Sequence, residues 1–262
     1  MKFKSIGTAK KITGLAYLGS CNSSAKIVKN QKYNVSTYII YLAPAKLSGY
    51  NVCPMATGGD GITLGCIDGC LNFSGHEKIS NMTDTGYSKI TNTRIKKTKM
   101  FFEHRTFFVD WTIAEIKKYK AAAERKGEQF SVRINGTSDL SIETMRNEEG
   151  KNLLELFPDV QFYDYTKVFN RLPLTKKYPN YHLTFSYSGA NMVQCLAALA
   201  DGYNVAMVFN KALPDTYMGY KVVNADDSDL RYLDEKNVIC GLVFKKVRNK
   251  TANVNNTFVV NI

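Results

Sequence analysis

Val160-Gln161-Phe162-Tyr163-Asp164-Tyr165-Thr166-Lys167 changes character halfway along its length. The first four residues are β-branched and aromatic, with one polar residue between, the composition of a short strand. The last four bring an acid, a phenol, a hydroxyl and an amine to the strand's carboxyl end. The same succession recurs through the chain. Phe130-Ser131-Val132-Arg133-Ile134 runs into Asn135-Gly136-Thr137-Ser138-Asp139. Tyr181-His182-Leu183-Thr184-Phe185 runs into Ser186-Tyr187-Ser188-Gly189, and Tyr203-Asn204-Val205-Ala206-Met207-Val208-Phe209 into Asn210-Lys211. Val35-Ser36-Thr37-Tyr38-Ile39-Ile40-Tyr41-Leu42 and Val238-Ile239-Cys240-Gly241-Leu242-Val243-Phe244 complete a set of six strands.

Amphipathic segments fill the gaps. Phe108, Thr112, Ile113, Ile116 and Ala123 share one side of a helix that Gly127 stops. Ser141-Ile142-Glu143-Thr144 opens a second helical stretch leading to Leu153, Leu154, Leu156 and Phe157, before Pro158. Asn191 caps a third that runs through Leu199 and ends near Gly202. Alternation of this kind predicts an α/β fold with a parallel sheet and right-handed crossovers. Six strands suit an open partial (β/α)6 barrel, TIM-like, with a flat doubly wound sheet as the rival. No Pro/Ser linker interrupts the chain, so the expected organisation is a basic N-terminal extension over residues 1–30 and a single βα-barrel-like domain over 31–262.

In parallel βα folds the carboxyl ends of the strands converge on the active face. Asp139, Asp164, Lys167 and Ser186 stand at such ends and are the candidate substrate-side residues, with Asp164 or Lys167 suited to proton transfer. Helix caps and turns use the same residue types, so the strand-end position carries this assignment.

Composition narrows the function classes. The 262 residues are 44% hydrophobic and 22% charged, with 18 Gly and 6 Pro, which excludes a disordered, collagen-like or Pro-rich chain. No run approaches the roughly 18 apolar residues of a membrane span, and no secretory pattern follows the basic Met1-Lys2-Phe3-Lys4 start. A cytoplasmic protein is expected. The net charge is +12, and residues 1–50 hold eight Lys and no acid. A field of this sign favours polyanions, nucleic acid first among them, although Lys residues also serve simply to solvate a surface. Arg94, Lys96, Lys97 and Lys99, with Arg105 beyond them, are the candidate phosphate contacts; a solvated helix face is the competing reading.

Six cysteines are present. Cys195 and Cys240 lie in apolar patterns and read as inert core thiols. Cys53, Cys66 and Cys70 differ. They form Cys-x12-Cys-x3-Cys in the Gly-rich stretch Cys53-Pro54-Met55-Ala56-Thr57-Gly58-Gly59-Asp60-Gly61-Ile62-Thr63-Leu64-Gly65-Cys66-Ile67-Asp68-Gly69-Cys70, just after the first strand. Thiolates gathered on a flexible loop suit Zn²⁺ or an iron–sulfur cluster, and three ligands leave one metal position open; free thiols are the competing reading. His76, six residues on, would close the site as a Cys3His zinc centre.

On these residues the chain resembles the radical-SAM superfamily, in which three Cys after the first strand of an open six-stranded barrel hold a [4Fe–4S] cluster that binds S-adenosylmethionine. The superfamily's usual spacing is Cys-x3-Cys-x2-Cys with an aromatic residue beside the last Cys; here the gaps are 12 and 3, and Leu71 follows. More narrowly, the chain resembles a family of proteins from phages and other mobile elements. Cys53-Pro54-Met55-Ala56, Cys66-x3-Cys70, Thr93-Arg94-Ile95-Lys96-Lys97-Thr98, Val132–Asp139, Phe157–Lys167, Asn180–Ser186 and Asp229-Leu230-Arg231-Tyr232-Leu233-Asp234 carry that likeness. The resemblance implies a radical-SAM-like iron–sulfur metalloenzyme acting on a nucleotide, nucleic acid or other anionic substrate. The alternative is a non-catalytic nucleic-acid-binding protein of phage or plasmid replication with a structural zinc.

Other chemistries lack their residues. The three His form no His-x-His or His-x3-His pair, Gly58-Gly59-Asp60-Gly61 has no P-loop Lys, and no Gly-x-Ser-x-Gly elbow is present. The four Asp between Asp226 and Asp234 suit a hard cation or, more simply, a solvated turn with an Asp229–Arg231 ion pair.

Overall fold

The computed structural model describes residues 1–21, 25–58, 64–70, 82–83, 86–246 and 256–262. His76, Leu71 and the stretch from Gly59 to Thr63 therefore lie outside the described residues. Seven α-helices are described: α1 (Ile6–Thr13), α2 (Ala25–Val28), α3 (Lys89–Glu103), α4 (Arg105–Glu124), α5 (Leu153–Leu156), α6 (Leu174–Lys177) and α7 (Met192–Ala200). The strands are β1 (Gly19–Cys21), β2 (Val35–Ile40), β3 (Met82–Thr83), β4 (Gly86–Tyr87), β5 (Gln129–Arg133), β6 (Gln161–Thr166), β7 (Tyr181–Ser186), β8 (Val205–Phe209), β9 (Thr216–Tyr217), β10 (Tyr220–Asn224), β11 (Ile239–Val243) and β12 (Val259–Val260).

The fold is mixed α/β; among the described residues a central sheet of 10 strands forms, and it is not closed into a barrel. All six expected strands are present. The sheet adds short strands that periodicity did not reveal, since two to five residues carry too few alternations to register. β3 and β4 form a separate antiparallel pair.

Two compact units divide the chain. Unit 1 holds residues 1–52, 92–164 and 175–182; unit 2 holds 53–91, 165–174 and 183–262. The division falls inside β6 after Asp164 and inside β7 after His182.

In unit 1, β2 pairs parallel with β5 (Tyr38 opposite Val132) and β5 with β6 (Val132 opposite Phe162). All six residues of β2 are buried, as a parallel strand covered on both faces requires. The basic N-terminal residues form regular structure here. α1 carries Ser5 as its N-cap, with the Ser5 hydroxyl accepting from Thr8 N–H, and ends on Gly14 at φ 69°. The Phe3 ring meets Phe107 edge-on at 5.9 Å, and β1 pairs antiparallel with β2. α4 supplies the core stripe Phe108, Thr112, Glu115 and Ile116 and closes where Gly127 adopts φ 67°.

The expected helical stretch from Ser141 to Phe157 is broken. A 3-10 turn spans Ile142–Thr144, a turn follows with Gly150 at φ 77°, and α5 restarts at Asn152. Asn152 and Glu155 cap each other's backbone, so the restart is encoded locally.

In unit 2, β8 pairs parallel with β11 along its whole length (Val205 opposite Ile239 through Phe209 opposite Val243), and β11 with β10. The other edge of β8 is shared. β7 covers its start, Ser186 opposite Ala206, and β12 covers its end, Val259 opposite Val208.

Candidate functional site

That shared edge makes a fork. The last rung of β7 is Tyr187 N–H to Ala206 O at 3.0 Å; the chain then turns away through Gly189 at φ 97°. A Cβ on Gly189 would lie 2.6 Å from Thr257 Oγ1, so only glycine lets the turn pass the C-terminal segment. Asn191 precedes α7 but does not cap it with its side chain. Its Oδ1 accepts Ser188 N–H at 2.7 Å and its Nδ2 donates to Ser186 O at 3.0 Å, fixing the diverging end of β7. Ligands of parallel α/β sheets sit outside the carboxyl ends of strands where neighbours part.

The cysteine loop is fastened at this fork, within unit 2. The Thr57 hydroxyl donates to Ser188 O, and Thr257 donates to Leu64 O through its N–H at 3.2 Å and its hydroxyl at 2.8 Å. The loop also closes on itself. Ile67 N–H reaches Thr57 O at 3.0 Å, Cys66 N–H reaches Thr57 Oγ1 at 3.3 Å, and Thr57 N–H points at Cys66 Sγ at 3.4 Å. Asp68 Oδ2 accepts Gly65 N–H at 2.9 Å, and Cys70 N–H donates to Ile67 O at 3.2 Å. Gly58 and Gly65 lie so close to Asp68 and Thr57 that a side chain at either position would collide.

Cys53, Cys66 and Cys70 are all half-buried in this loop, and none of the six cysteines is in a disulfide. Among the described residues, no three His, Cys, Asp or Glu side chains are gathered into a metal-holding group. What fits a thiophilic metal is the donor chemistry: three thiols carried on one loop, an N–H aimed at one sulfur, and a buried amide beside the turn that carries two of them.

Lys167 and Ser186 belong to the same unit as the cysteines. Lys167 lies one residue past β6, half-buried, with its ammonium 5.8 Å from the centre of the Phe258 ring. Ser186 is the buried last residue of β7. In α7, burial pushes the Cys195 thiol up to about 12, with the Lys167 charge opposing the shift. Asp139 and Asp164 belong to unit 1. Asp139 N–H donates to Val52 O at 2.8 Å. Asp164 is 1% exposed and its carboxylate is engaged: Oδ1 accepts Asn135 N–H at 2.9 Å, and Oδ2 accepts Asn135 Nδ2 at 3.0 Å and the Tyr181 hydroxyl at 3.2 Å. Asn135 Oδ1 in turn accepts Ser138 Oγ–H and Leu140 N–H, so Asp164 organises the loop that carries Asp139.

The basic run of α3 divides by helical spacing. Arg94 and Lys97 point inward: the guanidinium lies over the Tyr41 ring at 5.2 Å, and the Lys97 ammonium lies over Tyr17 at 4.6 Å and donates to Leu18 O at 2.6 Å. Lys96 and Lys99, on the opposite side of the turn, are exposed, as is Arg105. The order Thr91, Arg94, Thr98, Phe101 was the available signal, because steps of three and four mark one face.

Sequence reasoning missed Glu115. Buried at 2% exposure in α4, it accepts Leu18 N–H at 3.1 Å, Gly19 N–H at 2.9 Å and the Tyr38 hydroxyl at 2.8 Å. A lone acid in the apolar stripe between Thr112 and Ile116 was its only trace. The aspartate-rich segment is also not a solvated turn. Ser228, Asp229 and Arg231 are buried, Arg231 Nη1 pairs with Asp234 at 3.1 Å, and its Nη2 donates to Ser228 O at 3.0 Å.

No described helix is long and apolar enough to cross a membrane. No curated protein and no solved structure matches the chain. The sequence model of the Gene product 88 family, a phage-type family, matches residues 7–257, and the chain belongs to that family.

Proposed function

We propose that this protein is a metal-dependent, radical-SAM-like enzyme in which Cys53, Cys66 and Cys70 hold a [4Fe–4S] cluster and, through it, S-adenosylmethionine. The observation that carries the reading is the fastening of the cysteine loop at the β7–β8 fork by the Thr57–Ser188 and Thr257–Leu64 hydrogen bonds. A cluster held by three thiolates supplies one-electron chemistry at its open iron. Cys53, Cys66 and Cys70, which are not gathered into a ligand set in the described structure, would have to close up to hold it. Lys167, beside the Phe258 ring, provides positive charge for an anionic substrate and is the group suited to moving a proton. Asp164, with its oxygens engaged, positions rather than reacts. Protein purified without oxygen and assayed for iron, sulfide and zinc tests this. About four irons per chain, lost in the Cys53/Cys66/Cys70→Ala variant, support it; metal retained by that variant overturns it.

A second reading rests on a separate observation. Lys2, Lys4, Lys10 and Lys11 around α1, and Lys96, Lys99 and Arg105 on α3 and α4, are exposed on unit 1. They support a nucleic-acid-binding protein with one structural zinc in place of the cluster. Binding that weakens steeply with salt, by a chain carrying one zinc, supports that reading; salt-insensitive binding removes it.

A further inference from the structure

The C-terminal segment brings one buried donor to the cysteine loop. Asn256 is 6% exposed, and its Oδ1 accepts Phe258 N–H at 3.0 Å, which fixes the orientation of the amide. Its Nδ2 has no hydrogen-bond partner among the described residues. That nitrogen lies 2.9 Å from the point a Cβ on Gly69 would occupy, while Phe258 and Phe244 carbons lie 3.4 and 3.5 Å from the same point. Gly69 stands in the turn between Cys66 and Cys70. A buried amide donor without an acceptor among the described residues is an arrangement proteins avoid unless a ligand supplies the acceptor. A glycine at 69 leaves the approach to the donor open.

We propose that Asn256 is a positioning residue for the metal group of the cysteine loop, donating its Nδ2–H to a sulfur of that group. Sulfur fits because a thiolate bound to metal keeps lone pairs that accept N–H bonds, and such bonds orient the ligand and tune the metal's affinity and potential. Thr57 N–H already approaches Cys66 Sγ at 3.4 Å, so one cysteine sulfur of this loop already faces an N–H. The inference rests on the metal-binding reading above.

The test titrates full-length, metal-free protein with Co²⁺ and then Zn²⁺, following the sulfur-to-cobalt absorption bands. Asn256→Leu removes the donor; Asn256→Asp keeps the shape and the Phe258 N–H contact, and decides the matter if the leucine variant does not fold. The expected result is a roughly 10–100-fold loss of metal affinity with shifted bands in both variants. If wild-type and variants bind Co²⁺ with equal affinity and identical spectra, the role of Asn256 is overturned while the cysteine site stands. If wild-type protein binds neither metal, the cysteine reading itself falls.

Discussion

The Tyr38 hydroxyl donates to Glu115 Oε2 at 2.8 Å, joining the buried strand β2 to the longest helix, α4. The same carboxylate takes the N–H groups of Leu18, just before β1, and of Gly19, its first residue. Burial first, and then the Glu115 charge and hydrogen bond, hold the Tyr38 phenol well above its usual range.

Glu115→Gln turns an acceptor facing three donors into an amide that presents its own N–H2 to them. We expect a loss of about 3 kcal/mol, since breaking a buried charged network leaves its partners unsatisfied. Tyr38→Phe leaves two of the three donors in place and is expected to cost about 1–2 kcal/mol. Denaturant unfolding of the two variants checks the order; equal losses would remove Glu115 from the centre of the network.

Lys97 gives unit 1 a pH signature. Burial lowers its ammonium to about 8, with Glu115 opposing the shift and Arg94 adding to it. Below about 8 both folded and unfolded chains carry the proton, and the cost of burying the charge is fully present. Between about 8 and the ordinary lysine value of 10.5 the unfolded chain binds more protons, so this contribution becomes more favourable as pH rises. Cys21, raised to about 11 chiefly by burial, acts in the other direction above its usual 9.0. The stability of wild-type protein relative to Lys97→Met should therefore rise from pH 8 to 10. A flat difference would mean that Lys97 titrates normally.

Asp164→Asn tests whether that carboxylate organises or reacts. Losing the charge beneath Asn135 is expected to cost about 2 kcal/mol and to speed hydrogen exchange at the Asn135 and Leu140 amides. In any activity assay, a variant whose pH profile keeps its shape while stability falls supports the organising role; loss of one limb of the profile would return Asp164 to proton transfer.

The legible part of this chain was its longest-period signal. Six strands and the helices at Arg105–Glu124 and Met192–Ala200 were visible because each repeats its spacing or ends on a glycine. β12 was not, because its two valines gain their meaning only from Val208 and Phe209 across the sheet. The fork it makes, and the Thr57–Ser188 contact at 131 residues' separation, are products of tertiary pairing. Arg94 and Lys97 show the opposite failure. Their charge suggested a surface, while helical spacing already assigned them inward. The cysteine triad was visible as spacing; Asn256, beside it in space and far from it in sequence, had no local mark.

The six thiols should separate into classes in native, metal-free protein. Cys53, Cys66 and Cys70 are half-buried on the loop and should react with a disulfide reagent before the chain unfolds. Cys195 and Cys240 are buried, and burial pushes both thiols to about 12, Cys240 with Asp234 adding to the rise; they should react only in denaturant. Cys21, at about 11, should react slowly. Prior loading with Zn²⁺ should then protect the three fast thiols together and leave Cys21 unchanged, because ligands of one ion are released by one event. Mass spectrometry of the labelled peptides assigns each site. Protection of only one loop cysteine, or protection that spreads to Cys21, would place the metal somewhere other than the fork between β7 and β8.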